Sequence, residues 1–163
     1  MGQKSNDKKG LRALKMWISG LGNSAKRFYG EDPIPEKKAV ATKDSWKTEP
    51  MPEQHATVPL GIRLTRKQMD IVRFGHIPEA MEDHWFMYVD DDCIRYYRSW
   101  TGICMFEGHV EKDGDGFVVK SLTINQDRDQ VNIGQEEAKT LFCALLMDEC
   151  GGDAGEYWNK YLG

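Results

Sequence analysis

Between Ile94 and Glu107 the chain interleaves arginines with rings: Arg95, Tyr96, Tyr97, Arg98, Ser99 and Trp100 follow one another. On an extended strand side chains alternate, so Arg95, Tyr97 and Ser99 point one way and Tyr96, Arg98 and Trp100 the other. Either face then offers a guanidinium beside a ring. That pairing suits a ligand with phosphates and a base, because the guanidinium binds phosphate oxygens two at a time while the ring stacks on the base. Packing is the ordinary alternative, since aromatics favour strands and an arginine stem covers apolar surface well.

A second cluster precedes it. His76, Glu79, Glu82, Asp83 and His84 are the densest set of acid-base groups in the chain. Their spacing is not the His-Glu-x-x-His of a zinc helix, and Pro78 interrupts the helix that would align His76 with Glu79. We therefore expect a structural loop that caps a sheet, and assign no metal and no cofactor. Glu111-Lys-Asp-Gly-Asp-Gly116 imitates the start of a calcium loop, but Leu122 falls where the bidentate carboxylate belongs, so a hairpin turn is expected. No phosphate loop, dinucleotide fingerprint or Gly-x-Ser-x-Gly is present. Nucleophilic cysteine chemistry also finds little support, because Cys104 lies mid-strand among apolar neighbours and alternation sets His109 on the opposite face.

The elements that must position these groups follow from patterning. With 163 residues and 40% hydrophobic residues, one domain with an appendage is expected. Mean hydropathy is -0.62 and no apolar run approaches the roughly 18 residues of a membrane span. No secretory signal pattern opens the chain, and the four cysteines form no Cys-x-x-Cys pair, so a cytoplasmic, reduced setting is expected.

Charge is uneven. Lys4, Lys8, Lys9, Arg12, Lys15, Lys26 and Arg27 face a single acid, Asp7, near the start, while the remainder is acidic. An acidic body argues against general nucleic-acid binding. Residues 1–30 read as a basic amphipathic helical arm, with Leu11, Leu14, Ile18, Leu21, Ala25 and Phe28 on one face. Such a helix either docks on protein or, through residues 11–29, touches an anionic membrane. Residues 31–57 read as a polar linker containing several prolines, with Trp46 as its candidate anchor.

The domain proper is expected over residues 58–163, with Val58 to Leu64 as a short strand or an extended entry. Thr65 caps a short helix from Arg66 to Phe74 that stops at Gly75. Alternation then predicts four strands in an antiparallel meander, broken at Asp90-Asp-Asp92, Thr101-Gly102 and Lys112–Gly116. Gly134 to Cys150 is the strongest helix, with Ala138, Leu141, Phe142, Leu145 and Leu146 on its inner side. The fold class is α+β: a four-stranded antiparallel meander packed against a C-terminal helix, with an N-terminal amphipathic helix. An uncovered sheet edge leaves room for a homodimer.

The stretch Gly75-His-Ile-Pro-Glu79, Met81-Glu-Asp83, Trp85-Phe-Met-Tyr88, followed by Ile94-Arg-Tyr-Tyr-Arg-Ser-Trp-Thr-Gly-Ile-Cys104, resembles a small bacterial and phage module, itself uncharacterised. That module forms the C-terminal part of proteins that carry macro or ADP-ribosylglycohydrolase domains. The likeness spans Pro59 to Glu149. It implies a ligand of the same class: ADP-ribose, NAD or a signalling derivative, sensed or sequestered in defence or counter-defence. On that reading Arg95 and Arg98 hold phosphate and Tyr97 or Trp100 stacks on the base. Glu79, Glu82 or Asp83 accept hydrogen bonds from ribose hydroxyls. Two other functions stay open at this point: a protein-interaction module (inhibitor or adaptor), and a hydrolase of ADP-ribosyl bonds with those carboxylates as its acid-base pair.

Overall fold

A computed structural model of the chain describes residues 39–163. The expected basic arm, with its amphipathic helix, and the first part of the linker lie outside the described residues. Alternating patterns broken by tight turns fold the middle of the described chain into hairpins. Trp85–Asp90 (β2) pairs with Cys93–Arg98 (β3), β3 with Cys104–Asp113 (β4), and β4 with Gly116–Asn125 (β5), all antiparallel.

The expected count of four strands is corrected by a fifth. His55–Leu64 (β1) runs antiparallel to β5, giving the order β1-β5-β4-β3-β2. The reason is backbone satisfaction: without β1, the outer row of amides and carbonyls along β5 would lack ladder partners. The free edge of β1 carries Pro59 and a register irregularity between Pro59 and Ile62, features that discourage further strand pairing.

The turn between β2 and β3 is tight and unusual in composition. Asp91 and Asp92 both sit at positive φ, 49° and 55°, as a two-residue primed turn requires. Aspartate tolerates that region less well than Asn-Gly. The Arg73–Asp92 pair at 3.5 Å is solvent-exposed and contributes little. Replacing Asp91-Asp92 by Asn-Gly should raise stability by about 1 kcal/mol in chemical denaturation; a loss would show that the aspartates make a contact worth more than the backbone strain.

Arg66–Arg73 (α1) carries the chain from β1 toward β2, at the opposite edge. Thr65 Oγ1 accepts from the Gln68 amide at 3.1 Å and Gln68 Oε1 accepts from the Thr65 amide at 2.9 Å, a reciprocal capping box. Met69, Ile71 and Val72 are buried beneath it.

Gln135–Cys150 (α2) covers the sheet. Glu136 and Glu137 in its first turn favour the positive end of the helix dipole. Gly151, at φ 73°, closes the other end, and the Gly152 amide donates to Met147 O at 2.8 Å. The helix is less one-sided than its pattern predicts: Thr140 through Cys150 are all buried. Gly155–Leu162 (α3) explains much of this by packing on the outer side of α2, with Trp158 fully buried and its Nε1 donating to Asp148 at 2.8 Å. A buried ring of that size stabilises by about 2 to 3 kcal/mol.

The sheet's second face has its own small core. Phe86, Tyr88, Tyr97 and Cys104 are covered by Ala41, Trp46, Met51 and Ile77. Residues 41–54 therefore lie along this face as a strap. Three bonds hold it: Ala41 N to Phe74 O, Trp46 Nε1 to Ser99 O, and Glu49 N to Gly102 O, at 2.8, 2.7 and 2.8 Å. Trp46, the one large ring in that stretch, is its anchor.

All four cysteines are buried and free. Burial pushes Cys104 up to about 12 and Cys143 and Cys150 up to about 11, and raises Cys93 as well. Iodoacetamide at pH 7.5 should leave the folded protein unmodified and label all four once it is unfolded. The native state favours the neutral thiols, so their contribution is constant below the unfolded value near 9 and stability falls as pH rises from there toward 12. Rapid labelling of the native protein would contradict this burial.

Candidate functional site

The strand that carries the arginines divides them, as alternation requires. Arg95 and Tyr97 face the strap. Tyr97 is buried, stacks on Tyr88 at 5.7 Å with an interplanar angle of 7°, and its hydroxyl lies 3.3 Å from that of Tyr88. Burial and this contact push its phenol far above the ordinary value. A ring so enclosed has no free face for a base. Arg95 forms an ion pair with Glu107 on β4. Register extends the row over all five strands: Tyr88, Arg95, Glu107, Thr123 and Thr57 stand side by side.

His109 joins this face as well. Its Nε2 lies 2.9 Å from Thr123 Oγ1, and Thr57 Oγ1 is another 2.9 Å from that hydroxyl. Burial and nearby Arg95 lower its pKa, which keeps it neutral at neutral pH. The expectation that His109 and Cys104 lie on opposite faces is corrected here. A bulge in β4 lets Cys104 pair with Tyr97 while Phe106 pairs with Tyr96, and the extra residue flips the parity between them.

Arg98 and Trp100 lie elsewhere. The Arg98 guanidinium lies over the Trp85 ring, 4.9 Å from its centroid, half-buried and without a carboxylate partner among the described residues. Burial lowers its pKa, partly offset by Tyr161 of α3. Trp100 is 58% exposed, yet it is held in place: its Nε1 donates to Met81 O at 3.0 Å, and the His84 ring sits 5.4 Å away, tilted by 55°. Met81 is 75% exposed. Two further bonds tie the strand end to the preceding loop: the Ser99 amide donates to His84 O at 2.9 Å and Ser99 Oγ to Asp83 O at 2.7 Å.

The carboxylates expected at the site part company. Glu79 and Glu82 are exposed. Asp83 turns inward, with both its oxygens 2.7 Å from His76 Nε2, and His76 Nδ1 lies 3.7 Å from Glu149 at the end of α2. This bridge fastens the loop to the helix layer, and Asp83 is committed to it. Among the described residues no group of three or more His, Cys, Asp or Glu is arranged to hold a metal, and no helix is long and apolar enough to cross a membrane.

Of the seven residues named from sequence, the structure places Arg98 over Trp85 and Trp100 against Met81 and His84, near the same end of the β2–β3 hairpin, and sends Arg95 and Tyr97 to the other face. Glu79 stands apart in solvent. His84, Met81 and the buried Trp85 ring make these contacts and were not among the seven. In the sequence His84 stands out only as one of the acid-base groups, and Met81 carries no signal beyond its place in the motif.

No protein-family model matches the chain, and no curated protein and no solved structure matches it.

Proposed function

We propose that this chain is a non-enzymatic binding module for a nucleotide-type ligand, with Arg98, His84 and Trp100 as the receiving surface. The observation that carries the reading is Arg98 itself. A half-buried guanidinium over an indole, in no ion pair among the described residues, can accept an anion. Trp100, two residues on, supplies a ring already immobilised by its bond to Met81 O, so stacking costs little additional ordering. Turnover of ADP-ribosyl bonds would need a pair of placed carboxylates. Asp83 is engaged with His76, and Glu79 and Glu82 are exposed, so binding without turnover is favoured.

The test is native mass spectrometry with ADP-ribose, NAD and mononucleotides, run beside a thermal-shift screen of the same panel. A ligand should raise the apparent stability by mass action and remain chemically unchanged. Silence in both readouts across the panel removes the reading. A second reading, a protein-interaction module, is favoured by one observation: Met81 and Trp100, two large exposed apolar side chains, lie together next to an arginine, the composition of an interface hot spot. It predicts a stable complex in pull-downs and no small ligand.

A further inference from the structure

We propose that the cleft between β1 and the two C-terminal helices is a second binding site, for a small monocarboxylate with an apolar body. It shares no residue with the Arg98 surface and does not depend on the nucleotide reading. Leu60 and Ile62 of β1, Cys143 of α2 and Tyr157 of α3 line a space of about 230 Å³. Cys143 is buried, and Leu60, Ile62 and Tyr157 are partly buried and pack on the main core, so the walls they offer are apolar. Drug-sized ligands occupy roughly 300 to 1,000 Å³, so the occupant here is smaller than those. The backbone at the cleft is also shaped for an approach. Leu60 and Gly61 fall between the register pairs Pro59 to Ser121 and Ile62 to Val119, where two residues of β1 oppose Lys120 alone. Gly61 takes φ 93°, and no atom lies within 4 Å of the position a Cβ would occupy. A glycine inside a strand, with open space beside it, lets another group come close to the backbone.

The charges in the lining decide the ligand's head group. Lys139 and Lys160 face the same cleft, together with Glu136. Glu136 lies 3.6 Å from Lys139, but its side chain is 79% exposed. A solvated pair of this kind contributes little and leaves the ammonium open to a second acceptor. Lys160 forms no ion pair among the described residues. Both ammoniums act on the floor of the cleft: burial raises the Cys143 thiol, and the Lys139 and Lys160 charges pull it back. The lining therefore carries one net positive charge in a chain whose formal net charge is -4. A single carboxylate balances that excess, whereas a phosphate dianion would exceed it beside Glu136. The carboxylate meets the two ammoniums, and the apolar body rests against Leu60, Ile62 and Tyr157.

The experiment is methyl NMR of the full chain, titrated with phenylacetate and hexanoate, with the amide of each, and with acetate. At least one of the two acids should shift the Leu60 and Ile62 methyl signals with a Kd of about 1 mM or below, the range open to ligands of this size. Its amide keeps the body and loses the charge, and acetate keeps the charge and loses the body. Each should bind about tenfold more weakly. In Lys139→Met and in Lys160→Met the affinity should fall about fivefold, and further in the double variant, with a nearly unchanged melting transition. Lys112→Met removes the same charge beside the β4–β5 turn and should leave the affinity unchanged. No methyl shift with either acid, equal binding of acid and amide, or the same loss from Lys112→Met as from the cleft lysines overturns the proposal. None of these results bears on nucleotide binding at the Arg98 surface.

Discussion

Replacing Gly75 by alanine should cost about 3 kcal/mol or more and lower the melting temperature by about 10 °C. Gly75 sits at φ 73°, a conformation that an L side chain adopts only with strain. That alone accounts for about 1 to 2 kcal/mol. The rest comes from space. A Cβ there would lie 2.5 Å from the Met87 carbonyl oxygen and 2.6 Å from Ala41 Cβ, so β2 and the strap would both have to move. Gly61→Ala is the control, because φ is 93° there and nothing lies within 4 Å of the added atom. It should cost only the conformational share. Equal losses in the two variants would show that the strap does not press on Gly75.

Arg98→Ala should weaken nucleotide binding by about a hundredfold or more, the loss expected when a bidentate charged contact is removed. The fold should persist, since the side chain makes no ion pair among the described residues; it gives up its contact with the Trp85 ring, about 1 kcal/mol, and its interaction with Tyr161. Arg95→Ala makes the comparison decisive. It removes the partner of Glu107 on the strap-covered face and should leave affinity unchanged while lowering stability. Calorimetry and denaturation of both variants read the two effects separately. A loss of binding in Arg95→Ala with none in Arg98→Ala would move the site to the other face.

Much of the fold is legible because its signals are local. The Thr65 cap, the alternation of β2 to β5 and the apolar spacing of α2 each state their structure within a few residues. What escapes is pairing between distant segments. Val58, Leu60, Ile62 and Leu64 show a strand's period, but nothing near them names β5 as their neighbour, and Pro59 and Gly61 look like interruptions. The site divides in the same way. Alternation alone separates Arg95 and Tyr97 from Arg98. It cannot tell which face is occupied, because the cover comes from Ala41, Trp46 and Met51, whose stretch has the composition of a linker. Asp83 was expected to face a ligand, and its partner His76 is visible in sequence. The turn over Ala80–Asp83, closed by the Asp83 amide on Ala80 O, that brings the two together is not.

The placement of β1 also shapes how the molecule assembles. The β2-to-β5 meander joins segments adjacent in sequence and can form quickly, whereas β1 must bring Leu64 to Phe117 and His55 to Asn125 across the intervening helix and three strands. It therefore docks late in folding, although its ladder with β5, once formed, has as many register pairs as that of β4 with β5. The strap that seals the second core leads directly into β1, so the cover over Tyr88 and Tyr97 is completed with that docking. The smaller core is thus a late closure, built onto a meander that forms before it.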